Sequence, residues 1–68
     1  MPAFPQCAFP SDATVLAEIN AELGAEYAAG ELIKYDTWVA IAAALGGSEA
    51  DVPMLVAAWV DTSRCELV

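Results

Sequence analysis

Histidine is absent from the chain, and lysine and arginine occur once each among its 68 residues. Without histidine, no side chain titrates near neutral pH in its ordinary range, and no imidazole can ligate a metal ion. Ten acidic side chains leave a net charge of -8, which argues against DNA or RNA as a direct ligand, because such binding depends on neutralising phosphates. The sequence therefore predicts a protein that is not an enzyme, has no catalytic, cofactor or metal site, and binds no nucleic acid directly.

Long hydrophobic runs are also missing. The longest stretch without a charged residue, 37–48, is shorter than the roughly 20 apolar residues that a membrane-spanning helix needs. The N-terminal segment has no basic residue and is interrupted by proline, so it does not have the pattern of a secretion signal. We therefore expect no contact with a membrane and no export, and a location in the cytoplasm or in a virion.

The hydrophobic content, 59% of the residues, predicts that the chain folds in spite of its charge. Much of that fraction is alanine, which favours helix but buries little area. A chain of this length supports one domain, and domains of this size usually depend on a disulfide, a metal or a partner subunit. The composition thus predicts one small domain with a thin core and a protein partner.

Residues 1–10 differ from the rest, because they hold three of the four prolines, both phenylalanines and no charge. The tripeptide Ala-Phe-Pro occurs at 3–5 and again at 8–10. Proline favours extended backbone for itself and its predecessor, so we predict an extended N-terminal arm over residues 1–10. Its side chains either pack on the chain's own helices or anchor in another subunit. The candidate anchors are Phe4, Pro5, Phe9 and Pro10.

Residues 11–68 show apolar side chains at helical spacing and are predicted to form a single small helical domain. A first helix begins at an N-cap, Ser11 or Asp12, and ends at Gly24. A second helix is predicted from about 31 to 45, after a helical turn over 25–29.

The third predicted helix begins with Asp51 as its cap, because Pro53 is tolerated only in a first turn. It ends near 61–63. No stretch alternates apolar and polar residues over the length of a strand. The expected fold is therefore all-α, a small bundle of three short helices, or at most four, that carries the extended arm.

The two cysteines, Cys7 and Cys65, lie near opposite ends of the sequence. If the fold brings the ends together, a disulfide between them would stabilise the domain by about 3 to 4 kcal/mol in the chain-entropy model. The alternative is two free thiols in a reducing compartment. The sequence leaves both open.

Two groups of side chains are candidates for partner binding. Trp38 is either a core residue or an interface anchor, and Tyr27 and Met54 are secondary anchor candidates. The acidic residues that recur from the first helix onward form either a solvated face or a patch complementary to a basic partner. That patch consists of Glu18, Glu22, Glu26 and Glu31.

The leading hypothesis is a non-enzymatic accessory protein that docks on the protein subunits of a larger assembly. Its size and layout, by analogy with small accessory proteins, point to a virus or phage particle. A homo-oligomer is a second option for the partner. The alternative function is an acidic inhibitor, a nucleic-acid mimic that blocks a basic channel of its partner. A third hypothesis rests on residues 37–59, which superficially resemble a helix-turn-helix; such a domain would have lost DNA binding and dimerise.

Overall fold

The computed structural model describes residues 6–68. Three α-helices and three short strands form a small α/β domain. In chain order these are β1 (Cys7–Ala8), α1 (Ala13–Leu23), β2 (Leu32–Ile33), α2 (Tyr35–Ala44), α3 (Val52–Asp61) and β3 (Glu66–Leu67), with a 3₁₀ turn at Glu49–Asp51 before α3. The expectation of an all-α bundle is therefore wrong.

The sheet is antiparallel in the order β2-β1-β3, so the first strand of the chain is the central one. Cys7 pairs with Ile33 on one side and with Leu67 on the other. The Phe9 N–H donates to the Glu31 carbonyl at 2.9 Å, which extends the pairing beyond β1. The described part of the predicted arm is thus the middle of the sheet and not a projection from a helical body.

The prediction of the second helix was wrong about where that helix begins. Its expected start at about residue 31 is strand β2, and the helix begins after Lys34, whose backbone is extended. The predicted helical turn over 25–29 is a loop. Asn20 fixes that loop, because its side-chain amide donates to the Tyr27 carbonyl at 3.0 Å and accepts from the Tyr27 N–H at 2.9 Å.

The limits of the first and third helices were predicted correctly. Asp12 is the N-cap of α1, where its carboxylate accepts from the N–H groups of Thr14 and Val15. Asp51 occupies the N-cap position of α3, although its carboxylate bonds back to Ser48, and Pro53 lies in the first turn, where the missing N–H removes no helical hydrogen bond. Caps act within a few residues of the chain, which is why sequence alone reveals them.

The helices end in left-handed residues that allow the chain to reverse. In α1 and α2 these residues are glycines, Gly24 and Gly46, but after α3 the residue is Ser63, with a φ of 60°. The Arg64 N–H then donates to the Trp59 carbonyl at 2.8 Å, and β3 follows. Ser63 therefore adopts a costly conformation at the turn that returns the chain to the sheet.

We expect Ser63→Gly to raise the free energy of unfolding by about 0.5 to 1 kcal/mol, because glycine adopts a positive φ without the steric cost of a Cβ. The greater freedom of glycine in the unfolded chain offsets part of that gain. Urea unfolding followed by circular dichroism measures the difference, with Ser63→Ala as the matched control that keeps the Cβ. Equal stability of the two variants would contradict the assignment of strain to this residue.

The core lies between the sheet and the helices. Trp38 and Trp59 pack edge to face at its centre, with ring centroids 5.4 Å apart. Phe9 stacks on Tyr27 at 4.3 Å, which joins the segment after β1 to the loop after α1. Completely buried core side chains come from the sheet and from every helix; they include Cys7, Phe9, Ile19, Trp38 and Val52.

Candidate functional site

The structure places the predicted aromatic and proline anchors inside the chain. Phe9, Pro10 and Trp38 are fully buried, so in this fold they have no surface to offer a partner. Phe4 and Pro5 lie outside the described residues. The search for a binding surface therefore turns to side chains that the fold leaves exposed.

The four glutamates of the predicted acidic patch are exposed, but they do not form one helical stripe, because α1 ends at Leu23. Glu22 forms an ion pair with Arg64, with 3.1 Å between Oε2 and Nη2. Glu31 accepts from the Ala28 N–H at 3.1 Å and so closes a turn. Glu18 lies on α1 and Glu26 in the following loop, which distributes the charge over separate elements.

The two cysteines are brought together, since both are buried in the same core, and both are free thiols. Burial, the neighbouring Cys7 thiol and a hydrogen bond to it raise the pKa of Cys65 to about 12. The thiol of Cys65 is therefore protonated at neutral pH while the core is closed.

An apolar groove lies where α2 turns into α3. It has a volume of about 340 Å³. Met54, a secondary anchor candidate from the sequence, is one of its walls. We call it the elbow groove; it is lined by Ala42, Leu45, Gly47, Asp51, Met54 and Leu55.

Local hydrogen bonds fix the bend that forms the elbow groove. The axes of α2 and of the segment 49–61 differ by 109°. At the end of α2 the Gly47 N–H donates to the Ala42 carbonyl at 2.8 Å. At the next residue the Ser48 N–H donates to the Asp51 carboxylate at 2.9 Å, and the Ser48 side chain accepts from the Asp51 N–H in a capping box. These bonds fix the chain conformation between α2 and α3, where the groove lies.

The exposure of two apolar side chains distinguishes the elbow groove from the core. Met54 is 76% exposed and Leu45 is 40% exposed, although both adjoin apolar walls. Apolar side chains that remain in water beside a concave apolar surface are typical of binding sites. Sequence periodicity could not locate this groove, because Leu45 continues the apolar face of α2 that packs in the core.

The charge around the elbow groove has one sign. Residues 35–63 contain no lysine or arginine, and their acidic residues include Glu49 and Asp51 in the 3₁₀ turn at the groove. The Tyr35 hydroxyl donates to the Glu49 carboxylate at 2.6 Å, and that hydrogen bond is the main cause of the raised pKa of Tyr35. A neutral donor orients Glu49 without cancelling its charge, so the groove is apolar inside and negative at its edge.

Comparison of the chain with protein-family models, curated proteins and solved structures finds no significant match. Within residues 6–68 no single helix is long and apolar enough to cross a membrane; by length and composition, only the sharply bent pair of α2 and 49–61 passes such a test. No three cysteine, aspartate or glutamate side chains of that range converge as a metal-ligand cluster.

Proposed function

We propose that the chain is a non-enzymatic protein-binding module that docks on the subunits of a larger assembly through the elbow groove. One observation carries the proposal: Met54 and Leu45 stay exposed beside a concave apolar groove. The occupant is a protein segment with one large apolar side chain flanked by lysine or arginine. The proposed anchor residues are therefore Met54 and Leu45 at the elbow groove, in place of the buried Phe9 and Trp38.

The size and shape of the elbow groove support this occupant. A volume of about 340 Å³ accommodates an aliphatic or aromatic side chain and lies at the small end of ligand sites. Fully burying a side chain such as that of Met54 contributes about 1.5 to 3 kcal/mol. Because caps already fix the bend, little of this gain is lost in ordering the site.

Electrostatics support basic flanks on the occupant. Asp51 lines the groove, Glu49 lies in the same 3₁₀ turn, and the whole chain carries a charge of -8. Complementary charge accelerates encounter and selects the partner, while apolar contact supplies most of the affinity. A partner with acidic flanks would be repelled.

The small size of the domain supports the proposal of a larger assembly. A chain of 68 residues with a core built around a few large side chains gains stability from any partner that binds only its folded form. A virus or phage particle as that assembly remains a prediction from size and layout. The acidic-inhibitor alternative also remains a prediction, with Glu18, Glu22, Glu26 and Glu31 as its contacts.

Selection from a displayed library of random peptides tests the proposal. We expect enrichment of sequences in which a leucine, methionine or aromatic residue lies between lysines or arginines. For a labelled peptide of the enriched sequence, Met54→Ser is expected to weaken binding about tenfold, because the variant removes an exposed apolar contact. Leu32→Ser is the control: Leu32 is an exposed leucine on β2, 47% exposed and outside the groove lining, and its replacement should change the affinity less than about twofold.

Three outcomes would contradict the proposal. A library that yields no enriched motif would argue against a peptide-binding groove. Equal affinity for both variants, with binding that collapses as salt rises from about 0.05 M to 0.5 M, would favour the acidic patch on and after α1. A stable dimer of the purified chain that Met54→Ser dissociates would make a second copy the occupant.

A further inference from the structure

Cys7 lies on the central strand, and Cys65 immediately precedes β3, the strand that pairs with it. Cys7 pairs with Leu67 across the β1–β3 ladder. Cys65 precedes Leu67 by two residues, so this register places it diagonally from Cys7. Both side chains are buried in the same apolar core cluster. The fold therefore places the two cysteines beside each other.

We propose that Cys7 and Cys65 form a disulfide that fastens β3 to the central strand when the chain meets a small-molecule disulfide such as oxidised glutathione. This inference is independent of the elbow groove and of any partner. Diagonal neighbours on paired strands are farther apart than the residues of a disulfide, whose S–S bond is about 2 Å long, so the two cysteines must approach each other. The required shift falls on β3, a strand of two residues that pairs only with β1 among residues 6–68.

The reaction is thiol–disulfide exchange in two steps. One cysteine thiolate attacks a sulfur of oxidised glutathione, forms a mixed disulfide and releases one glutathione thiolate. The second cysteine then loses its proton and attacks the protein sulfur of the mixed disulfide, which releases the second glutathione thiolate. The two cysteines together lose two protons and two electrons, and one oxidised glutathione becomes two reduced glutathione molecules.

Burial determines the rate of the first step. In the closed core both thiols are inaccessible, and the pKa of Cys65, at about 12, keeps its thiolate scarce. Attack therefore requires that β3 separates from β1, which exposes Cys65 and returns its pKa towards the ordinary range. We expect oxidation of the folded chain to be slow and to accelerate with rising pH, because the reactive thiolate becomes more abundant.

A disulfide at these positions closes a loop that includes almost the whole described domain. Such a loop restricts the unfolded chain strongly, so the oxidised form should unfold at a higher temperature. We expect the midpoint of thermal unfolding to rise by roughly 10 to 20 °C, a shift that a reducing agent reverses.

The test compares the purified full chain after incubation with oxidised or with reduced glutathione. We expect the oxidised sample to lose two hydrogen atoms by intact mass, to react with no iodoacetamide, to remain a single chain by light scattering and to melt at the higher temperature. Cys65→Ala is the control; it should accept at most one glutathione and show no reversible rise in melting temperature.

Three results would overturn the proposal: a lasting glutathione adduct on either cysteine, chains linked to one another, or two thiols that stay free in the folded chain while the same chain oxidises in urea. The last comparison needs only the unaltered sequence, so it decides the matter even if Cys65→Ala does not fold.

Discussion

Deletion of residues 1–10 is expected to abolish the cooperative fold, although the sequence-derived boundary would leave residues 11–68 as a complete helical domain. The deletion removes β1, which is the shared partner of β2 and β3 in the described sheet. It also removes Phe9, a completely buried ring stacked on Tyr27. Neither the edge strands nor the loop after α1 would then have the surface on which they pack.

The expected loss exceeds the stability available. Truncation of a buried phenylalanine alone costs about 3 to 5 kcal/mol, and each lost backbone hydrogen bond adds about 1 kcal/mol. A core of this size rarely supplies more than about 3 to 5 kcal/mol in total. The deleted chain should therefore show no cooperative transition in thermal or urea unfolding followed by circular dichroism.

A chain that lacks only residues 1–5 is the matched control for this deletion. The difference between the two truncated chains isolates residues 6–10, the part of the segment that the structure places in the sheet and core. If the longer deletion kept a cooperative transition of the same amplitude per residue as the control, the helices would be self-sufficient and the sheet an accessory.

Local signals account for what the sequence predicted correctly. The cap at Asp12, the stop at Gly24 and the proline in the first turn of α3 each act on backbone groups within a few residues. Their outcome depends little on the rest of the fold. Helices α1 and α3 were therefore identified with nearly correct limits.

Tertiary contacts account for what the sequence missed. Each strand has two residues, too few to show the alternation that identifies a strand. The central strand pairs with segments about 25 and 60 residues further along the chain, and no local pattern encodes such pairing. The second helix was extended into β2 because Leu32 and Tyr35 match a helical period as well as a strand followed by a helix.

The candidate site likewise depends on tertiary contacts that sequence alone does not reveal. Phe9 and Trp38 were candidates for anchors because aromatic residues dominate interfaces, yet a chain with so few large side chains needs them in its own core. Met54 could be singled out from sequence, but the groove beside it depends on the bend between two helices. Which large side chains remain exposed depends on how the whole core packs.

Trp38→Ala is expected to destabilise the domain by about 3 to 5 kcal/mol, which is close to its whole free energy of unfolding. Trp38 is completely buried and meets the ring of Trp59 edge to face, so the truncation leaves a cavity between α2 and α3. Urea unfolding followed by circular dichroism, with Trp59 fluorescence as a second probe, measures the loss. A cost below about 1 kcal/mol would show that the tryptophan pair does not hold the two helices together.

Trp38→Phe separates ring packing from the indole N–H. Among the residues that the structure describes, the Trp38 Nε1 atom is buried without a hydrogen-bond partner. Phenylalanine removes this unpaired donor and keeps a ring against Trp59, so the gain from deleting the donor offsets part of the lost contact area. We expect a cost of about 1 kcal/mol and an intact elbow groove, with peptide affinity unchanged. A loss as large as that of Trp38→Ala would mean that the indole N–H makes a stabilising contact, because only the donor and part of the ring are removed.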